Sequence, residues 1–73
     1  MVEVFRTNVS TQKNAGLLLG VLHSLFPESR FNFDLEDRDR ILRVETGPLP
    51  IPVEKILRTV RDHDFQIEVL PDL

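Results

Sequence analysis

The chain contains no cysteine. That excludes a disulfide and any thiolate-bound metal, and it removes the usual clue to redox compartment. The one other sulfur belongs to Met1. A basic run is also missing. The nine Lys and Arg residues are spread from Arg6 to Arg61 in a chain of net charge −3. No stripe is visible that would neutralise phosphates, so nucleic acid is not an expected partner. Long apolar runs are absent too. The longest, Leu17-Leu18-Leu19, is far too short to span a bilayer, and no basic start leads into an apolar stretch as in a secretion signal. The expectation is a cytoplasmic protein that does not engage a membrane.

What is present is ordinary globular usage. The chain has 73 residues, 41% hydrophobic and 29% charged, enough for one domain over residues 1–73 with a single small core. Val2 to Val9 reads as a strand, with Phe5, Thr7 and Val9 facing one way and Val4, Arg6 and Asn8 the other. Ser10 or Thr11 can cap a helix that runs to Phe26 and stops at Pro27. At 100° per residue, Ala15, Leu18, Leu19, Leu22, Leu25 and Phe26 make its core-facing stripe.

Phe31 to Leu35 alternates as a half-buried strand, and Glu36-Asp37-Arg38-Asp39 makes a polar turn. Ile41 to Glu45 is the returning strand of an antiparallel hairpin, with Leu42 and Val44 inward. Gly47 to Pro52 is a stiff connector, and Pro52 can open the next helix. That helix carries Val53, Ile56, Leu57 and Val60 on one face and ends near His63-Asp64. Phe65 to Leu70 is a last strand, ended by Pro71. The order predicts an α+β, ferredoxin-like βαββαβ sandwich: two helices on one face of a four-stranded antiparallel sheet.

Three segments together resemble the heavy-metal-associated domains and copper chaperones. Phe5 to Asn14 is similar to their first strand and metal loop. Phe31 to Asp37 with Ile41 to Glu45 is similar to their central hairpin, and Ile56 to Phe65 to their second helix and the step that follows it. In that family the loop holds Cys-x-x-Cys. Here the resemblance puts Thr11 and Asn14 at the two cysteine positions. A hydroxyl and a neutral amide supply neither the softness Cu(I) seeks nor the thiolate or imidazole of a small Zn(II) site. The resemblance therefore implies the fold without metal transfer, and no cofactor is expected. The usual glycine after the second helix is replaced by Asp64, in a position suited to left-handed backbone.

Other chemistry is sparse. Asp62-His63-Asp64 could contribute to a weak divalent site, but neighbours at a helix end rarely converge on one ion. Lys13 beside a helix N-terminus could attract an anion. Acylphosphatases share the element order and use an Arg and an Asn. Arg6 and Asn8 are present here, but the phosphate-cradling glycine loop is not. RNA-recognition domains stack bases on open-face aromatics, whereas all five Phe fit the core pattern. The open face should instead carry Arg6, Asn32, Asp34, Arg43, Glu45, Gln66 and Glu68, with Arg6 and Arg43 pairing with acids across strands. No nucleophile motif suggests an enzyme.

The first helix is different. Gly16, Leu17, Gly20 and Val21 lie off its core stripe, and glycines inside a helix cost about 1 kcal/mol each relative to Ala. That pattern predicts a protein partner or a homo-oligomer. A metal carrier using His63, carboxylates or a second chain is an alternative. So is a regulatory domain sensing small molecules at a dimer interface.

Overall fold

The computed structural model describes residues 1–70. Six elements follow in the predicted order: β1 (Val2–Thr7), α1 (Gln12–Leu25), β2 (Arg30–Asp34), β3 (Ile41–Glu45), α2 (Val53–Asp62) and β4 (Ile67–Val69). The four strands form one antiparallel sheet in the order β2-β3-β1-β4, which is the ferredoxin-like arrangement. Its edges are therefore β2 and β4. The expected ending at Pro71 lies outside the described residues.

The core sits between the sheet and the two helices. Phe5, Leu42 and Val44 rise from the central strands, Leu18 and Leu22 come down from α1, and Ile56 and Val60 from α2; all are fully buried. Each such side chain contributes roughly 1.5–3 kcal/mol from removal of its surface from water. Phe26, Phe33 and Phe65 pack around this centre. Every phenylalanine is thus on the core side, as the alternation required.

Three strands are shorter or shifted relative to the apolar alternation. β1 ends at Thr7, because the Thr7 hydroxyl and amide turn to the hairpin loop, and Val9 is buried outside the ladder. β2 starts at Arg30, which pairs with Glu45, and it stops before Leu35. β4 keeps only three residues, since Phe65 is still tied to α2 through its amide and the Val60 carbonyl. Leu25 is a further departure. It was placed on the core stripe, yet it is 58% exposed. It occupies the last helical position, at the margin of the stripe, where α1 overhangs the connector.

Two non-glycine residues take left-handed backbone, Arg40 (φ 49°) and Asp64 (φ 67°). Asp64 stands where a glycine was expected, and its short polar side chain tolerates this region better than most. Among the described residues, no helix is long and apolar enough to cross a membrane.

Candidate functional site

The junction from β1 to α1, which holds Thr11 and Asn14, is fastened on both sides. The Val9 amide donates to Thr7 Oγ1 (3.2 Å), and the Gln66 amide donates to Asn8 Oδ1 (2.8 Å). Thr11 then forms the N-cap of α1, with extended backbone and its Oγ1 accepting from the Asn14 amide at 3.1 Å. Thr11 is exposed and Asn14 half-buried in the first turn. Both residues are thus engaged in starting a helix.

The donor set does not fit a soft metal. Thr11 Oγ1 is already an acceptor for backbone, and a neutral amide beside it adds no charge. The second candidate set fares no better. Asp62 ends α2, His63 is its C-cap and Asp64 turns left-handed. His63 Nδ1 lies 2.8 Å from the Thr59 carbonyl, so that nitrogen donates to backbone. Among the described residues, no three His, Cys, Asp or Glu side chains are grouped to hold an ion.

Arg6 and Asn8 are similarly committed. The Arg6 guanidinium pairs with Glu68 (2.8 Å) and Asp39 (3.3 Å), and Asn8 Oδ1 is occupied by the Gln66 amide. The carboxylates on Arg6 compete with any phosphate for its guanidinium. Arg43 was expected to pair as Arg6 does, yet it forms no ion pair among the described residues. Its direct cross-strand neighbours are Val4 and Asn32, so no carboxylate stands opposite. The open face also carries apolar side chains that a count of polar positions overlooks: Val2, Val4 and Ile41 share it with Arg6 and Arg43. Strand parity alone places them there.

The exposed flank of α1 is the surface of most interest. Adding a Cβ at Gly16 or Gly20 would meet nothing within 4 Å. Leu17 is 53% exposed. The four residues singled out from the sequence do not form one patch. His23 stacks edge-on against Phe31 of β2, with ring centroids 5.6 Å apart, and so marks the side of α1 that faces the β2 edge. At 100° per residue, Gly16 and Gly20 fall on the His23 side, and Ser24 beside Leu17. Leu17 points outward, and Val21, half-buried, turns toward the connector and α2. There Leu25 and Leu49, both exposed, line an open groove of about 320 Å³ with Phe26, Pro27 and Pro50.

The charge of the two helices differs as sharply. α2 presents Glu54, Lys55, Arg58, Arg61 and Asp62 to solvent, as a solvated amphipathic helix should. α1 has no acid, and Lys13 is its one permanent charge. Since nothing touches the two glycines, Gly16→Ala and Gly20→Ala should each stabilise the isolated domain by about 0.5–1 kcal/mol. Thermal unfolding at low protein concentration checks this; a loss of stability from either would show that a contact within the chain had been filled.

Compared with models of known families, with curated proteins and with solved structures, the chain matches none.

Proposed function

We propose that the chain is a non-catalytic, cytoplasmic interaction module of the heavy-metal-associated type that no longer carries metal. The observation that carries this reading is the outer surface of α1. Gly16 and Gly20 are uncovered, Leu17 is exposed, and no acid interrupts them. A helix whose solvent face is small and apolar gives up local stability, and close approach of another chain is a physical reason to keep it. The donor chemistry at the β1–α1 junction supports the other half of the reading. The Thr11 side chain caps the helix by accepting from the Asn14 backbone amide, and the Asn14 side chain is a neutral amide without affinity for a soft ion.

Calorimetric titration of the purified protein with Cu(I), under reducing conditions, and with Zn(II) tests this. The expected result is no saturable tight binding. Stoichiometric high-affinity uptake by the monomer would restore a carrier and overturn the proposal.

A further inference from the structure

We propose that the β2 edge pairs with the β2 edge of a second copy of this chain across a twofold axis through Asn32, joining two sheets into one of eight strands. The inference rests on the interaction-module reading and names its surface and its partner.

β2 is an edge strand of five residues, Arg30-Phe31-Asn32-Phe33-Asp34, with one side occupied by β3. It carries none of the features that keep edges from pairing: no proline, no lysine, no loss of regular register. The opposite edge, β4, is protected by being three residues long.

The strand is complementary to itself. In an antiparallel pair centred on Asn32, Arg30 stands opposite the partner's Asp34, Phe31 opposite the partner's Phe33, and the two Asn32 amides meet on the axis. Opposite charges, aromatic pairs and matched amides are the pairs that stabilise neighbouring strands. Arg30 and Asp34 are both exposed and in no ion pair among the described residues, so their charges are uncommitted. Residues of equal parity face each other in this register. The alternate amides that β3 leaves unused therefore find partners, whichever set they are.

The same axis accounts for the glycines. β1 and β2 point the same way, both being antiparallel to β3, so α1 between them runs antiparallel to β2. His23 lies over Phe31. One strand residue onward is about 3.4 Å, or roughly two helical residues back, which places the axis between the levels of Gly20 and Val21. Strands sit about 4.8 Å apart while a helix is about 10 Å wide, so two helices overhanging paired edges collide unless their facing flanks are small. Gly16 and Gly20 lie on that flank beside His23, with open space around both glycines.

The test is a charge exchange read by sedimentation equilibrium. Wild type should form a dimer. Arg30→Glu and Asp34→Arg each place two like-charged pairs across the axis and should weaken the dimer by about tenfold or more. An equimolar mixture of the two variants should associate as a heterodimer, because each then offers the charge the other lacks. Gly20→Ala should also weaken the dimer while raising monomer stability. Hydrogen exchange provides a second reading: amides of residues 30–34 should slow as protein concentration rises. A monomer at every concentration, or a dimer indifferent to both charge reversals with no change in exchange at 30–34, would overturn the edge pairing. Metal uptake is scored separately. A monomer that binds no metal removes this interface and leaves the module reading, whereas a charge-sensitive dimer that binds Cu(I) tightly does the reverse.

Discussion

Thr11→Cys combined with Asn14→Cys should give the chain a tight Cu(I) site made of two thiolates. Thr11 is the N-cap and Asn14 lies three residues on, with Thr11 Oγ1 3.1 Å from the Asn14 amide. Side chains at those two positions rise from one end of the helix toward the same space. The first turn of α1 has no acid, so the partial positive charge of the helix terminus is unopposed and favours thiolate over thiol. Two convergent thiolates satisfy the low coordination number and softness of Cu(I). The pair should bind it at least about a thousandfold more tightly than wild type or either single variant, since one thiolate cannot chelate. Competition against a chromophoric Cu(I) chelator measures this. Losing the Thr11 cap should cost about 1 kcal/mol of stability in the metal-free double variant. If the double variant binds Cu(I) no better than the singles, the β1–α1 junction does not share the geometry of the family metal loop, and the resemblance to heavy-metal-associated domains loses its strongest support.

The element order, both helices and the inner residues of the hairpin were legible because each rests on a strong local signal. Pro27 and the connector prolines bound the helices, and strict alternation at Phe31 and Phe33, Leu42 and Val44, marks the sheet's inner face. A cap at Ser10 or Thr11 was legible from residue type, and the structure selects Thr11. Strand ends were not. Val9 and Phe65 are apolar and point inward like strand residues, but the Val9 amide turns back to Thr7 Oγ1 and the Phe65 amide to the Val60 carbonyl of α2, which takes both out of the ladder, and alternation of apolar residues carries no sign of either bond. The open face was misjudged at Arg43 because which residues stand opposite depends on register, and periodicity within one strand contains no register. Helical spacing separates Leu17 and Val21 from Gly16 and Gly20 on an adjoining face, and Val21 is half-buried while the other three are exposed. Which of those faces lies toward β2 requires the His23–Phe31 contact. The self-complementary order of charge and aromatic residues in β2 stands in the sequence, but it acquires meaning only once β2 is known to be an edge.

Thr7→Val should destabilise the domain markedly, although it exchanges a hydroxyl for a methyl at a position 7% exposed on the core side of the sheet. Hydrophobicity alone predicts the opposite sign. The Thr7 hydroxyl donates to the Arg40 carbonyl (2.6 Å) and accepts from the Val9 amide (3.2 Å), while the Thr7 amide donates to the Asp39 carbonyl (3.1 Å). One side chain thus holds the end of the β2–β3 loop, where Arg40 is left-handed, and the start of the β1–α1 junction. Valine has nearly the same shape, so no cavity opens and little can move to compensate. It leaves the Val9 amide and the Arg40 carbonyl without their partner, at roughly 1–3 kcal/mol for each group that water cannot reach. Burial of the methyl that replaces the hydroxyl offsets about 0.8 kcal/mol of that, for a net loss of about 2 kcal/mol. In a domain this small, where the net stability left after chain entropy is about 3–5 kcal/mol, the melting temperature should fall by about 10 °C. Thr7→Ser keeps the oxygen, loses only the methyl and should fall by about half as much. The ordering is the informative result. If Thr7→Val melts at or above Thr7→Ser, packing and not hydrogen bonding governs this position, and the junction that presents Thr11 is held by some other contact.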